Sequence, residues 1–360
     1  MRPFQLLVKP VSGECNLTCD YCFYLDVPER CYPEEEKTFM SLETLQELVR
    51  GYLRLGFSPS VLSWQGGEPT LAGLEFFKKA LELESKFGHR GQKIGNALQT
   101  NGTMINSDWA QFLADYKFLV GLSIDGPKEI HDSARGEGTW QQAMDCADLL
   151  RRHGVHFNVL TVIHHRNMTE AQEIYRFHRQ QGFKHLQFVP ALDIDPNTGK
   201  AKEYSIDPRE YGEFLCGLFD EWMREEDSQC VNIRLFEALR GKIAGCKSTS
   251  LCTISGECGR YLVVEHNGDV YPCDFFVYPE EYLGNFKDKP WTELLSNRAE
   301  FEQKKAQAKG ECEDCPWWHL CHGGCPKNRI QDSHTVLCEG YKLFFSHIQS
   351  RMDSKKNFVQ

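Results

Sequence analysis

Three thiols stand together near the start of the chain, in the run Cys15-Asn16-Leu17-Thr18-Cys19-Asp20-Tyr21-Cys22. Thiolates in this Cys-x3-Cys-x2-Cys pattern can hold three irons of a cubane, which leaves the fourth iron without a protein ligand. An open iron can take a small chelating molecule, as open positions at catalytic metal sites do. Zinc is the weaker alternative here, because it wants a fourth ligand nearby. No His lies close, and Cys31 is nine residues on from Cys22. A loop of inert thiols is the remaining reading.

A second group of thiols lies late in the chain: Cys252, Cys258, Cys273, Cys312, Cys315, Cys321, Cys325 and Cys338, with Gly268 before Cys273. Eight thiols suffice for two fully ligated four-iron clusters. Structural zinc on Cys312, Cys315, Cys321 and Cys325 is the alternative. Cys246 competes with Cys252, since both precede Cys258 at workable spacings. Cys31, Cys146, Cys216, Cys230 and Cys246 otherwise read as ordinary buried or free thiols.

These groups need a scaffold. Strand-like and helix-like segments alternate: strands at 6–9, 61–64, 94–99, 118–124, 155–163 and 186–189, with helices at 42–55, 74–87, 107–116, 140–153 and 169–181 between and after them. Ser41 is a plausible N-cap for the first of these helices. This order predicts an α/β fold with a parallel sheet, in the form of a partial (β/α)6 barrel. Ligands of such sheets sit at the carboxyl ends of strands, where the segments at Gly66, Asn101 and Asp125 fall. Asp207-Pro208 starts a further helix, running to about Arg224. Asn267-Gly268 signals a two-residue hairpin between 261–265 and 269–272, whose second arm delivers Cys273. Residues 298–310 read as a solvated charged helix and 340–352 as a closing helix. The expected division is a barrel domain at 1–230 and a small Cys-rich iron–sulfur domain at 231–360.

The 360 residues fit roughly two domains. A 41% hydrophobic and 26% charged composition is that of a globular chain and argues against wholesale disorder. The net charge of −10 argues against sequence-blind nucleic-acid binding. No apolar run approaches the ~18 residues of a membrane span, and the first residues do not read as a signal peptide. With 16 cysteines and no such leader, a reducing compartment, the cytoplasm, is expected, where clustered Cys bind metal or do chemistry.

The Cys15–Cys22 run, with Tyr21 before the third Cys, resembles the radical S-adenosylmethionine (SAM) enzymes. That resemblance implies that the amine and carboxylate of SAM chelate the open iron and that one electron releases a 5′-deoxyadenosyl radical. It places Tyr21, Gly66, Gly67, Glu68, Ser123, Arg135 and Leu192 among the cofactor contacts. The two glycines of Gln65-Gly66-Gly67-Glu68-Pro69-Thr70 would let the backbone approach the bound amine; the bland reading is a tight βα turn. Ser123 would bond the ribose or carboxylate, Arg135 would pair with the carboxylate, and Leu192 would pack on adenine or offer its backbone. The late array resembles the SPASM domain. The resemblance assigns one auxiliary cluster to Cys252, Cys258, Cys273 and Cys325, and a second to Cys312, Cys315, Cys321 and Cys338, making three [4Fe-4S] clusters in all.

Nearly the whole chain resembles anaerobic sulfatase-maturating enzymes, through 15–24, 65–77, 98–103, 118–131, 270–275 and 321–325. These oxidise one Cys or Ser of a sulfatase to Cα-formylglycine. The resemblance makes Asp274 the general base that takes the proton from the substrate thiol or hydroxyl, while an auxiliary cluster takes an electron. A loop Asp capping backbone N–H groups is the structural alternative. Tyr24 and Gln65 are candidate substrate contacts. The implied partners are an unfolded or nascent sulfatase polypeptide and a ferredoxin- or flavodoxin-type reductant, with no nucleic acid or membrane, and the chain is expected to be a monomer. The rival readings are a SPASM enzyme forming thioether crosslinks and an iron–sulfur electron carrier.

Overall fold

The computed structural model describes residues 3–194, 200–224, 229–246, 249, 251–306, 312–330 and 334–354. In chain order its strands are β1 (Gln5–Val8), β2 (Ser60–Trp64), β3 (Ile94–Thr100), β4 (Leu119–Ser123), β5 (Phe157–Ile163), β6 (His185–Pro190), β7 (Asn232–Ile233), β8 (Tyr261–Val264), β9 (Asp269–Tyr271) and β10 (Gly284–Asn285). The chain divides into two compact units. The first comprises Met1–Ser123, Arg135–Phe157 and Gly259–Phe301, and the second Ile124–Ala134, Asn158–Cys258 and Glu302–Gln360.

The strands of the first unit follow the order β10-β9-β8-β1-β2-β3-β4. From β8 to β4 neighbours are parallel, and β8-β9-β10 are antiparallel, so the sheet is mixed and open. Parallel neighbours need a crossover, and helices supply it. Leu42–Leu53 links β1 to β2. Its N-cap Ser41 accepts from the Thr44 N–H at 3.0 Å, and its inner face buries Leu45, Leu48, Val49 and Tyr52. The Tyr52 hydroxyl donates to the Phe4 carbonyl at 2.7 Å and so anchors this helix at the start of β1. Leu74–Phe87 links β2 to β3 and buries Phe76, Phe77, Ala80 and Leu83. Phe77 sits between Trp64 of β2 and Trp109 of the next helix, with ring centroids 5.3 and 5.2 Å away.

In the second unit β5, β6 and β7 are parallel neighbours. Asp207 caps the helix Pro208–Arg224, accepting from the N–H groups of Arg209 and Glu210 at 2.8 and 3.0 Å. That helix packs on Cys338–Ser354 through two glycines, since a Cβ on Gly212 would lie 2.5 Å from the Gly340 Cα. Among the described residues no helix is long and apolar enough to cross a membrane.

The six βα units expected from the alternation are present over β1–β6, and the hairpin is present as β8–β9. One local expectation fails and another holds only in part. The hairpin loop is not a two-residue turn. The Val264↔Val270 pair is followed by a loop closed by Glu265 N–H to Asp269 C=O at 2.9 Å and Gly268 N–H to Glu265 C=O at 3.0 Å. Gly268 takes φ +100°, which supplies the turn and puts Glu265 and His266 inside it. The charged stretch near 300 is solvated on only one side, with Glu300, Glu302 and Gln303 exposed. Its helix, Ala299–Ala306, buries Phe301 and Lys305, because Lys305 has carbonyl acceptors waiting inside. Residues 307–310 lie outside the described residues.

Candidate active site

The thiols Cys15, Cys19 and Cys22 are half-buried, unbridged and on one loop after β1. The loop is shaped by backbone bonds, among them Cys22 N–H to Cys19 C=O at 3.0 Å. Cys15 Sγ accepts from the Leu17 N–H at 3.4 Å. Burial pushes the Cys22 thiol up, while the Tyr24 and Leu25 N–H groups and the charges of Arg135 and Lys9 oppose it. N–H donors and cations around a buried sulfur are the environment a thiolate ligand needs.

The loop after β2 is built against this one. Gly67 N–H donates to Ser12 C=O at 2.7 Å and Glu68 N–H to Glu14 C=O at 2.8 Å. A Cβ on Gly67 would lie 1.9 Å from the Glu14 carbonyl oxygen, and one on Gly66, at φ +135°, 2.5 Å from that of Ser12. The space these glycines leave open is therefore taken by the segment leading to Cys15. Glu68 has no exposed surface. Its Oε1 accepts from Thr70 N–H at 3.1 Å, Thr70 Oγ1 at 2.6 Å and Thr100 Oγ1 at 2.9 Å, and its Oε2 from Asn101 N–H at 2.8 Å. Asn101 Nδ2 reaches Asn16 Oδ1 at 2.9 Å. Glu68 thus locks the ends of β2 and β3 to the thiol loop. Burial raises its carboxyl, and the four donors pull against that rise.

Two further expected cofactor contacts lie in the same unit. Ser123, buried at the end of β4, accepts from Gln99 Nε2 at 3.1 Å. Arg135 ends the helix Lys128–Arg135, with its guanidinium 5.4 Å from the Tyr21 ring centroid, within cation–π range. Gln65 is half-buried at the start of the glycine loop, its N–H bonded to Val8 C=O at 3.0 Å.

Asp274 opens a one-turn 3₁₀ segment directly after Cys273. The Tyr261 hydroxyl donates to Asp274 Oδ1 at 2.8 Å and lies 3.3 Å from Cys273 Sγ, so one phenol orients both. Tyr24 is buried, and its hydroxyl donates to Glu265 Oε1 at 2.5 Å. Over its ring sits Lys9, 1% exposed, with Nζ 4.2 Å from the centroid. Burial pushes the Lys9 ammonium down, and Asp274, Glu265, Cys273 and Cys22 oppose it electrostatically. A lysine buried at the carboxyl end of β1 is tolerable only with such anionic neighbours.

In the second unit Cys312, Cys315, Cys321 and Cys338 line one cavity walled by Trp317 and Phe345. Cys252, Cys258 and Cys325 are electrostatic neighbours of the buried Lys305 ammonium, and burial raises the Cys258 thiol while the Lys305 charge opposes that rise. The Lys305 ammonium donates to the carbonyls of Cys252, Thr253 and Gly324. Arg329 bonds the Gly323 carbonyl at 3.1 Å and the Lys304 carbonyl at 2.8 Å. A buried lysine and a half-buried arginine held by neutral carbonyls fit a neighbouring anionic thiolate cluster. Cys246, the rival of Cys252, is exposed. Leu192 is half-buried just past β6. Among the described residues no three His, Cys, Asp or Glu side chains gather around one point as a single ion requires. A four-iron cluster asks for one ligand per iron instead.

The family model described as "Radical SAM superfamily" matches residues 10–178, and "Iron-sulfur cluster-binding domain" (SPASM) matches 256–316. A "Cysteine-type anaerobic sulfatase-maturating enzyme" of Clostridium perfringens is 39% identical, with 100% of both chains covered. The chain belongs to the anaerobic sulfatase-maturating enzymes. A "Serine-type" member from Bacteroides thetaiotaomicron is 34% identical over 99% of this chain and 92% of its own length. The solved structure "Native anSMEcpe with bound AdoMet and Cp18Cys peptide" superposes with a TM-score of 0.91 at 37% identity, covering 100% of both chains.

Sequence reasoning did not single out Lys9, Glu265, His266, Lys305 or Arg329. Lys9 carries a readable signal, a charge directly after an apolar strand. Glu265 and His266 carry none, since their partners lie far away in sequence: the Tyr24–Glu265 bond spans 241 residues.

Proposed function

We propose that this maturase oxidises one Cys or Ser side chain of an unfolded or nascent sulfatase polypeptide to Cα-formylglycine. The observation that carries the reading is the carboxylate of Asp274, held by Tyr261 beside Cys273, in the same unit as the Cys15–Cys22 loop. Relatives named for sulfatase maturation, and a peptide-bound neighbour, support the substrate class. Bound SAM and its cluster would supply the radical that removes the substrate Cβ hydrogen, and an auxiliary cluster would accept the electron that leaves.

The chain's own residues do the rest. Cys15, Cys19 and Cys22 hold the first cluster. Arg135 pairs with the cofactor carboxylate, Ser123 bonds the ribose or that carboxylate, and the Gly66–Gly67 backbone offers its remaining polar groups to the amine; a role for Leu192 rests on the resemblance. Glu68 acts from behind by fixing the loop. Asp274 takes the proton from the substrate thiol or hydroxyl. Tyr24 and Gln65 shape the substrate side, and Lys9 over the Tyr24 ring is the buried positive neighbour of Asp274 and Glu265. Water hydrolyses the thioaldehyde of a Cys substrate. The cavity thiols Cys312, Cys315, Cys321 and Cys338 fit a second auxiliary cluster. The first auxiliary set, Cys252, Cys258, Cys273 and Cys325, rests on the resemblance.

We keep the division at 230/231 into a SAM-binding part and an auxiliary-cluster part, on which the family matches fall separately. A cytoplasmic monomer fed by a ferredoxin or flavodoxin completes the reading. Anaerobic incubation with SAM, dithionite and Cys- or Ser-bearing sulfatase peptides tests it by mass spectrometry. Aldehyde at the target residue supports it. A peptide carrying a thioether crosslink instead overturns it.

A further inference from the structure

Oxidation of a thiol by this route leaves a proton behind. The balance is substrate CH2–SH plus SAM giving thioaldehyde, 5′-deoxyadenosine, methionine and H⁺; the sulfonium charge that disappears reappears as the proton. The electron that leaves the substrate matches the one that cleaves SAM. If Asp274 receives the proton, it must pass it on before it can act again, and the surrounding groups are buried.

A path is visible at the hairpin turn. Glu265 is 0% exposed, and His266 beside it is 3% exposed. Glu265 Oε1 accepts from Tyr24, while its Oε2 has no hydrogen-bond partner. His266 Nδ1 also lacks a hydrogen-bond partner, and the two atoms face each other at 3.6 Å. A buried polar atom left without a hydrogen bond is costly, so two facing each other ask for a reason. On the other side of the ring, His266 Nε2 lies 2.6 Å from Glu35 Oε2, and the Glu35 side chain is 39% exposed. The Tyr32 ring meets the imidazole edge-on at 4.9 Å and holds its plane. On the inner side, Asp274 and Glu265 are both electrostatic neighbours of Lys9 and of Tyr24.

We propose that Glu265, His266 and Glu35 form a relay that carries the substrate proton from the active site to the surface. The proposal rests on the reading of Asp274 as the base. The Tyr24 hydroxyl, bonded to Glu265 Oε1, gives its hydrogen to that carboxylate as its oxygen takes the incoming one, so it does not ionise. The imidazole binds a proton at Nδ1 and releases the one at Nε2 to Glu35, from which water takes it. Burial alone would depress His266, but Glu265 and Glu35 outweigh it and hold the ring above its ordinary value, which suits an imidazole spanning two carboxylates. No bond other than O–H and N–H bonds changes.

The experiment compares the first turnover with later ones in reconstituted holoenzyme, using a Cys peptide and SAM, for wild type, Glu265→Gln, His266→Ala and the surface change Glu35→Gln. A pH indicator in weak buffer follows proton release beside aldehyde formation. Expected is an unchanged first turnover, because Asp274 can take one proton, then later turnovers slowed about tenfold or more. Proton release should lag the aldehyde in these variants, and added imidazole should restore His266→Ala. Later turnovers at the wild-type rate overturn the relay. First and later turnovers slowed by one common factor show a structural brace and also overturn it. Glu35→Gln keeps the test open if the buried variants misfold. Asp274→Asn enzyme that forms aldehyde at the wild-type rate overturns the reading of Asp274, and the relay falls with it.

Discussion

Replacing Asp274 by Asn removes a base and little else. The amide oxygen can still accept the Tyr261 hydroxyl, now bonded to Oδ1 at 2.8 Å. Exchanging that hydrogen bond for a neutral one costs about 1 kcal/mol or less. The side chain is half-buried and volume is conserved, so the turn after Cys273 keeps its shape. Loss of a general base costs about 10²–10⁴ in rate, or about 3–5 kcal/mol of barrier. The catalytic loss therefore exceeds the structural one severalfold. The assay measures two products at once: 5′-deoxyadenosine by chromatography and peptide aldehyde by mass spectrometry. Asp274→Asn should keep cofactor cleavage within a few-fold of wild type, while aldehyde formation falls at least a hundredfold. Aldehyde formation at the wild-type rate refutes the assignment. An equal fall in both products would show that Asp274 positions the cofactor instead.

Gly67→Ala should perturb the thiol loop, because the new methyl meets the Glu14 carbonyl at 1.9 Å. Overpacking of this kind costs about 1–3 kcal/mol or more, and lower iron content of the purified protein, with weaker SAM binding, would report it. Glu84, buried with only Asn96 Nδ2 bonded to its two oxygens, is pushed up to about 7 by burial from 4.5. The folded state then binds the extra proton, so the stability it contributes is present below about pH 4.5 and is lost as pH rises through 7. Glu84→Gln should remove this slope, leaving the variant more stable than wild type near pH 8 by up to about 3 kcal/mol, read from thermal melts across pH. Cys312→Ala together with Cys338→Ala should lower iron from about twelve to about eight per chain, while 5′-deoxyadenosine formation persists.

Much of the scaffold is legible because it depends on short-range patterning. The helix at Leu74–Phe87 is predicted and observed with the same ends, since its apolar stripe and flanking glycines are local facts. Ser41 caps as expected for the same reason. The departures are tertiary. Asn267-Gly268 looks like a two-residue turn, but the loop widens, and Glu265 within it bonds Tyr24. Lys305 reads as solvated because its carbonyl partners Cys252 and Gly324 lie 53 and 19 residues away in sequence. The glycines at 66 and 67 are legible as places of close approach, but the approaching group is the backbone of residues 12–14. The helix ending at Arg135 is not among the expected ones: at eight residues it is too short for its periodicity to stand out.

The central claim is that a radical removes the Cβ hydrogen of the target residue, with the proton and electron leaving separately. The most direct measurement uses a sulfatase peptide whose target cysteine carries deuterium at both Cβ positions, incubated anaerobically with SAM and reductant. The account predicts one deuterium in each 5′-deoxyadenosine formed, in step with aldehyde in the peptide. Aldehyde forming while 5′-deoxyadenosine stays unlabelled, or label leaving to water, would contradict it.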